Sequence, residues 1–322
     1  MRAAVALSQN ATAPLSGLAV QDMPVPAVEP GWSAVKVVTS SLNPHDVWTL
    51  RGVGHPAERI PMILGCDAAG VMEDGREVIV HPVFGDPTKG HGDITMDPGR
   101  HLLSEIVGGG LAEWVVVPTS SLVDKPEWLT FEQAAALPIA WGTAYRMLFT
   151  RAGIKAGDKV LIQGASGGVA SAAIPLAKAA GATVYVATRD DSKRDFALSL
   201  GADAVIATGE RAPSRVDIVV DSVGEATWSH SLKSLRPGGV IVTCGATSGP
   251  HADADLNRIF YQQLSIIGST ASTKEEFEAM LHLMHKHNLR PHIDDVISLE
   301  SVTDGFQRLI DGKVLGKIVV TI

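Results

Sequence analysis

Residues 159–207 constrain the fold most, because short apolar segments alternate there with helical ones. Lys159–Gln163 and Thr183–Thr188 are rich in β-branched residues, and an alanine-rich segment, Val169–Ala180, lies between them. Continuous apolar strands without polar alternation indicate a parallel sheet that helices cover on both faces. We therefore predict an α/β, doubly wound parallel sheet. Further strands are expected at Ala204–Ala207, Asp217–Asp221, Val240–Thr243 and Ser265–Ser269.

The link between the third and fourth of these strands is short. A doubly wound order requires this link, Thr208–Val216, to cross about two strand positions, roughly 14 Å. About eight extended residues reach ~26 Å, so a loop without a helix is long enough. We predict that the crossover helix usual at this point is missing.

The turn after the first strand is rich in glycine and predicts a dinucleotide site. It reads Gly164-Ala165-Ser166-Gly167-Gly168-Val169 and leads directly into the helix. Glycines let backbone N–H groups approach a pyrophosphate, and the N terminus of a helix favours negative charge. Ser166 adds a hydroxyl donor. A glycine-rich turn can also be purely structural, but the strand–turn–helix–strand setting favours the binding interpretation.

The residues after the second strand favour NADPH over NADH. Thr188 occupies the place where a carboxylate would bind the ribose of NAD, and Arg189 follows it with Lys193 one turn further. A cation at this place accommodates the additional phosphate of NADP. Against this, Asp190 and Asp191 follow directly, Asp191 can cap the helix, and Arg189 can be an ordinary surface charge.

The first third of the chain has a different pattern, which predicts an antiparallel, barrel-like domain. Residues Gly85–Gly110 lose this pattern: nine of them are Gly or Pro, so we expect a long loop. The tail is expected to pack back on this domain. The expected strands are Ala3–Leu7, Ser33–Val38, Val78–His81 and Trp114–Val117, and the expected tail elements are helices at Lys274–His287 and Ser301–Asp311 and a strand at Lys317–Thr321.

Composition argues against two classes of partner. The net charge of −8 disfavours nucleic acid, which requires a basic surface. No apolar run approaches the ~20 residues that span a bilayer, so we expect no membrane segment.

The two cysteines, Cys66 and Cys244, form no disulfide framework, and a cytoplasmic protein is expected.

Several short motifs occur in an order that resembles the medium-chain dehydrogenase/reductase superfamily over nearly the whole chain, with the quinone reductases most similar in pattern. The resemblance implies a GroES-like β-rich catalytic domain, 1–125 completed by 271–322, and a Rossmann NADP-binding domain, 126–270. It also implies a homodimer. The motifs are Ser41–Trp48, Pro61–Gly70, Leu111–Val115, Ala134–Pro138 with Thr143–Tyr145, Arg236–Gly239 and Gly316–Val319.

The chain departs from the zinc-dependent members of that superfamily. Those enzymes hold catalytic zinc with a Cys, a His and a second Cys, and the corresponding positions here are Asn43, Cys66 and a stretch without ligands, Pro138–Trp141. Catalytic zinc needs about three protein ligands. Gly85–Gly110 also lacks the cysteines of the structural zinc lobe. We therefore expect no metal.

Without zinc, the site has no Lewis acid that could polarise the carbonyl group of a substrate. The expected reaction is transfer of hydride from NADPH to a small-molecule quinone or α,β-unsaturated carbonyl, whose oxygen then needs hydrogen-bond donors. Two alternatives stay open: a zinc-type alcohol or aldehyde dehydrogenase with atypical ligands, and a non-enzymic NADPH-binding sensor or scaffold.

The resemblance also implies site residues. Asn43 is expected to donate to the substrate oxygen or the ribose, Asp46 to orient its neighbours or cap a turn, and Trp48 to stack on a planar acceptor. His45 is either a proton donor or a surface residue. The residues expected to bind the cofactor are Thr143, Gly164, Ser166, Gly167, Gly168, Val169, Thr188, Arg189, Lys193, Ser222, Cys244, Gly245, Gly268 and Lys317.

Overall fold

The computed structural model describes residues 1–322, which form two compact units. The first unit comprises Met1–Ile139, Thr273–Glu278 and Pro291–Ile322, and the second comprises Ala140–Ser272 and Ala279–Arg290. No helix is both long and apolar enough to cross a membrane.

The strands are β1 (Arg2–Ala6), β2 (Leu18–Asp22), β3 (Trp32–Ser41), β4 (Met62–Ile63), β5 (Ala68–Met72), β6 (Glu77–Val80), β7 (Val83–Phe84), β8 (His101–Leu102), β9 (Trp114–Pro118), β10 (Leu122–Asp124), β11 (Lys159–Gln163), β12 (Thr183–Thr188), β13 (Ala204–Ala207), β14 (Val216–Asp221), β15 (Leu235–Thr243), β16 (Ser265–Gly268), β17 (Ile293–Ser298) and β18 (Lys317–Thr321). The α-helices are α1 (Pro44–Arg51), α2 (Phe131–Ala135), α3 (Ala140–Tyr145), α4 (Gly168–Ala179), α5 (Arg194–Ser199), α6 (Glu225–Ser234), α7 (Leu256–Tyr261), α8 (Lys274–Lys286) and α9 (Val302–Ile310). A π-helical turn, Arg146–Arg151, follows α3.

The first unit is built on a sheet in the order β10-β6-β5-β3-β18-β17, in which β9 also pairs with β3. A smaller sheet has the order β2-β1-β4. The last strand, β18, runs antiparallel to β3, with Val319 opposite Ser41. The tail therefore packs on the first unit, as the sequence predicts, and it brings Lys317 next to the end of β3.

The second unit contains a six-stranded parallel sheet in the order β13-β12-β11-β14-β15-β16. The doubly wound α/β prediction is confirmed, and so is the missing crossover helix, because residues 208–215 between β13 and β14 contain no helix. The registers align the carboxyl ends of the strands: Gln163 pairs with Ala187, and Thr243 pairs with both Asp221 and Gly268. Residues that follow these strands consequently lie along one edge of the sheet.

The division between the units differs from the one predicted after residue 125. The first unit extends to Ile139 because α2 packs against its sheet, and the hydroxyl of Thr39 donates to the carbonyl of Phe131 at 2.7 Å. At the other end, residues 279–290 belong to the second unit, although 271–322 were all predicted to complete the first.

The long loop at 85–110 is organised by aspartates. It contains two 3₁₀ turns, Pro87–Gly90 and Ile94–Met96, and the residue before each is an aspartate that accepts a hydrogen bond from the turn. The carboxylate of Asp97 accepts the N–H groups of Asp86 and Gly99 at 2.7 and 2.8 Å. Carboxylate-to-backbone bonds thus stabilise this loop.

Candidate functional site

The glycine turn of the second unit has the geometry of an anion site. Gly164 has a φ of +87°, which L side chains rarely adopt, and its N–H donates to Ala187 at 2.8 Å. The N-cap of α4 is Gly167, and no side chain caps this helix. Its first N–H groups therefore remain free for an anion. A Cβ atom placed on Gly167 would meet nothing within 4 Å, so the space in front of the helix is open.

One free cation lies at the end of the neighbouring strand. Arg189 is exposed and makes no hydrogen bond or ion pair, whereas Lys193 lies 3.7 Å from the carboxylate of Asp190 and Arg194 donates to the carbonyl of Val205. Thr188 is buried, and its hydroxyl accepts from the N–H of Asp190 at 3.2 Å. Arg189 is thus an exposed cation without a side-chain partner next to the end of β12.

The other residues predicted to bind the cofactor follow the remaining strands of the same sheet. Ser222 follows β14, Cys244 and Gly245 follow β15, and Gly268 ends β16. A Cβ atom on Gly245 would lie 3.3 Å from the carbonyl oxygen of Ser222, so these turns are close neighbours. Burial raises the pKa of Cys244 to about 12, which makes it a neutral thiol. Thr143 lies buried in α3. All the predicted cofactor residues except Lys317 thus belong to the second unit.

Lys317 belongs instead to a buried polar cluster in the first unit. Its ammonium donates to the carbonyl of Leu42 at 2.9 Å, to Oδ1 of Asn43 at 2.6 Å and to Oδ2 of Asp67 at 3.2 Å. The side chain is only 5% exposed. Because three protons meet three acceptors, Lys317 has no proton left for a nucleotide phosphate. Lys317 thus begins β18 and lies inside the polar cluster of the first unit.

Asp67 is the centre of this cluster. It is fully buried, and its Oδ2 also accepts from the hydroxyl of Ser41 at 2.6 Å and from Nδ2 of Asn43 at 2.7 Å. Its Oδ1 accepts the N–H of Ile139 at 2.9 Å. The prediction did not include Asp67 or Ser41. The signal available for Asp67 was its place in the run Gly65-Cys66-Asp67, where the zinc enzymes carry Gly-His-Glu.

Asn43 and Asp46 both take part in the hydrogen bonds at the start of α1. The second amide proton of Asn43 goes to the carbonyl of Ser41 at 3.3 Å, so the amide has no free proton for a substrate. Asp46 accepts the N–H groups of Asn43 and Gly65 at 3.0 and 2.8 Å, and burial raises the pKa of its carboxyl. Both residues therefore orient the start of α1.

Helix α1 presents a different set of groups on its partly exposed face. His45 and Trp48 lie there, one turn apart, and the guanidinium of Arg51 lies 5.1 Å from the centre of the Trp48 ring. Nε2 of His45 lies 3.0 Å from Oε1 of Glu105, which the sequence did not single out. The guanidinium of Arg51 thus lies over one face of the Trp48 ring.

The residues at the zinc positions do not fit zinc. The amide oxygen of Asn43 accepts from a lysine ammonium, whose charge opposes a second cation at the same place. Ligand atoms of His45, Asp46 and Cys66 come within 4.8 Å of one another. However, both oxygens of Asp46 already accept backbone N–H groups, from Asn43 and Gly65.

Two family models match the chain. "Alcohol dehydrogenase GroES-like domain" matches residues 29–127, and "Zinc-binding dehydrogenase" matches residues 168–286.

Three curated relatives illustrate the chemistry of similar proteins. The chain is 34% identical to a crotonyl-CoA reductase of Streptomyces avermitilis, over 96% of this chain and 83% of that protein. It is 30% identical to an acryloyl-coenzyme A reductase of Sulfurisphaera tokodaii, over 95% and 97%. It is 28% identical to a quinone oxidoreductase of Homo sapiens, over 93% and 92%.

Two solved structures share the fold. An NAD-dependent alcohol dehydrogenase has a TM-score of 0.91 at 32% identity and covers all of both chains. A 2-octenoyl-CoA carboxylase reductase, solved with NADP and 2-octenoyl-CoA, has a TM-score of 0.89 at 28% identity, over 99% of this chain and 87% of that one.

Proposed function

This chain belongs to the medium-chain dehydrogenase/reductase superfamily, and we propose that it is a metal-free, NADPH-dependent reductase of quinones or α,β-unsaturated carbonyls. The carrying observation is the pairing of Asn43 with Lys317. An amide bound to an ammonium at a zinc-ligand position gives no support to a Lewis acid there. An acceptor that is already activated for hydride addition suits such a site, and the names of the three relatives describe acceptors of this kind.

The second unit is proposed to hold the nucleotide. NADPH supplies the hydride when bound. The free N–H groups of α4 would bind its pyrophosphate, and Arg189 its ribose phosphate. Thr143, Ser222, Cys244 and Gly268 would line the remainder of the nucleotide. In the first unit, Asn43 and Asp46 position α1, and Trp48 offers a surface for the acceptor.

Oxidation of NADPH in a stopped-flow instrument tests this proposal. We expect the purified protein to oxidise NADPH with 9,10-phenanthrenequinone or with an alkenal, and to contain less than stoichiometric zinc. One zinc per chain together with NAD-dependent alcohol oxidation would contradict it, and would favour the alcohol dehydrogenase that the first of the two structures represents. Tight NADPH binding without turnover of any acceptor would favour a sensor.

Replacing Arg189 with glutamine should reduce the preference for NADPH. A hydrogen bond to a charged group contributes about 1.5–3 kcal/mol, which corresponds to a loss of about 10- to 100-fold in NADPH affinity. NADH affinity should not change, because NADH lacks the phosphate. The control is Lys178→Gln, because Lys178 is paired with Asp203 at the C-terminal end of α4, away from the glycine turn. Fluorescence titration measures both affinities, and an unchanged ratio for Arg189→Gln would contradict the assignment.

We also propose a homodimer formed through the second unit. Strand β16 is an edge of its sheet, and next to it in sequence α7 exposes Leu256, Phe260 and Tyr261 by 72%, 67% and 77%. An unpaired strand edge beside exposed apolar side chains favours association with another protein surface, here a second copy of the chain. The combined change Phe260→Glu and Ile266→Asp should give a monomer in sedimentation velocity, while the control Leu198→Glu should stay dimeric. A wild-type monomer at micromolar concentration would contradict the proposal.

The state of the two cysteines, Cys66 and Cys244, indicates the cellular compartment. Both cysteines are free. Free thiols are typical of a reducing compartment, so we propose a cytoplasmic protein.

A further inference from the structure

The first unit contains an open cavity of about 340 Å³ between two loops and the strands β3 and β9. Pockets that hold small molecules measure about 300–1,000 Å³, so this cavity has room for a ligand of one ring and a short chain. None of its lining residues takes part in the hydrogen bonds of Asp67. The cavity therefore has no part in the polar cluster described above.

One wall of the cavity is the outer face of β3 and β9. Trp32 pairs with Pro118, and Ala34 pairs with Val116. Opposite residues of antiparallel strands lie on the same face of a sheet. The valines before and after Val116 are buried in the core, so Val116 lies on the outer face, and Trp32 lies there with it. Both side chains are only partly buried, and both line the cavity.

The other walls come from two loops. Residues 26–27 belong to the link between β2 and β3, and residues 107–108 follow the long loop. Next to these walls, Val25, Val28 and Ile106 are exposed by 59%, 54% and 49%. Exposed apolar side chains around a concave surface are typical of a binding site.

Glu29 gives the cavity a negative charge. It lines the cavity, is exposed, and its carboxylate makes no hydrogen bond or ion pair. Lys36, the cation of β3, lies four residues from Trp32, about 13 Å along the strand. A carboxylate attracts an ammonium group, and so does the face of a tryptophan ring. The lining thus combines apolar contact area with two features that favour a cation.

We propose that this cavity binds a small organic cation, an ammonium group on an apolar body of about one aromatic ring. The apolar body packs against Trp32 and Val116, and the ammonium group lies at Glu29. Anionic ligands are disfavoured by the same carboxylate. Binding requires neither NADPH nor an acceptor, so this inference stands apart from the reductase activity.

Two probes of equal size separate charge from apolar contact. They are 2-phenylethylamine, which is a cation at neutral pH, and 2-phenylethanol, which is neutral. The chain contains six tryptophans, so labelling with 5-fluorotryptophan gives six fluorine NMR signals, and Trp32→Phe identifies the one from Trp32. Trp114 is the internal control, because it pairs with Lys36 on the same strands but does not line the cavity.

The amine is expected to shift the Trp32 signal saturably and to leave the Trp114 signal in place. A cation–π contact and an exposed ion pair each correspond to a gain of about 2- to 5-fold in affinity. The amine should therefore bind about 4- to 25-fold more tightly than the alcohol. Equal affinities would contradict the preference for a cation, and an unmoved Trp32 signal would contradict the site.

Two variants locate the contacts. Glu29→Gln should weaken amine binding by about 2- to 5-fold and leave alcohol binding unchanged. Ala27→Phe places a ring where an exposed alanine lines the cavity, so it should abolish binding of both probes without lowering the unfolding temperature. Amine binding that survives Ala27→Phe unchanged would show that the amine binds elsewhere.

A general attraction of cations to the chain is the alternative explanation, since the net charge is −8. The matched control is Glu127→Gln, because Glu127 is also exposed and unpaired but does not line the cavity. It should bind the amine like the wild type. If Glu127→Gln weakens amine binding as much as Glu29→Gln does, the attraction is general and the proposed site is wrong.

Discussion

Replacing Gly167 with aspartate is expected to weaken NADPH binding by at least about 100-fold without loss of stability. Gly167 is the N-cap of α4, with φ −66° and ψ 155°, and an added Cβ meets nothing within 4 Å. Aspartate is a preferred N-cap and should stabilise the helix by a few tenths of a kcal/mol. Its charge would face the pyrophosphate. Two like charges about 4 Å apart at an effective dielectric of ~20 repel by about 4 kcal/mol, more than the ~2.8 kcal/mol of a 100-fold loss.

Gly167→Asn is the matched control for this change. Asparagine has nearly the same size and the same capping preference but no charge, so its effect on NADPH binding should be much smaller. Fluorescence titration gives the affinities, and thermal unfolding without nucleotide gives the stability. Wild-type affinity in Gly167→Asp would show that the nucleotide does not lie over this turn.

Replacing Asp67 with asparagine is expected to lower the free energy of unfolding by about 3–5 kcal/mol, because it leaves the Lys317 ammonium buried without its counter-charge. Asparagine also presents an amide where Ser41, Asn43 and Ile139 all donate to a carboxylate. A loss below 1 kcal/mol in urea denaturation would contradict this account of the cluster.

Two comparisons isolate the charge. The combined change Asp67→Asn and Lys317→Met removes both charges, so it should be more stable than Asp67→Asn alone. Lys313→Met removes a surface partner of Asp311, in a side chain that is 71% exposed, and should change stability by less than about 0.5 kcal/mol. If all three variants lost the same free energy of unfolding, the buried pairing of Asp67 with Lys317 would not be the cause of the loss.

The sheet of the second unit could be predicted closely from the sequence. Lys159–Gln163, Thr183–Thr188 and Ala204–Ala207 have the predicted bounds. Their signal is local, because a strand buried on both faces must be apolar throughout and a glycine turn must follow it. The strands β4, β7 and β8 of the first unit have only two residues each, and pairing with distant segments rather than local pattern defines them.

The site residues also fall into two groups: those that the local sequence predicts and those that only the folded chain brings together. The glycine turn and Arg189 are adjacent in sequence to the strands that position them, so their placement was predictable. The contact between Lys317 and Asp67 joins residues 250 positions apart, and no local pattern encodes it. The sequence alone left open whether Lys317 reaches the NADP phosphate or only begins the last strand, and its strand pairs with β3 in the first unit. Glu105 lies in a loop with no periodicity, and only the folded chain shows that it binds His45.

Transfer of deuterium from labelled NADPH tests the central claim most directly. The protein is mixed with NADPH that carries deuterium at the transferable position of the nicotinamide, and with an α,β-unsaturated thioester or ketone. We expect one deuterium per product molecule at the β-carbon, and the same yield after treatment of the protein with a chelator. A reduced product that contains no deuterium, although the labelled NADPH was at a saturating concentration, would contradict a metal-free hydride transfer. So would a product yield that a chelator abolishes and zinc restores.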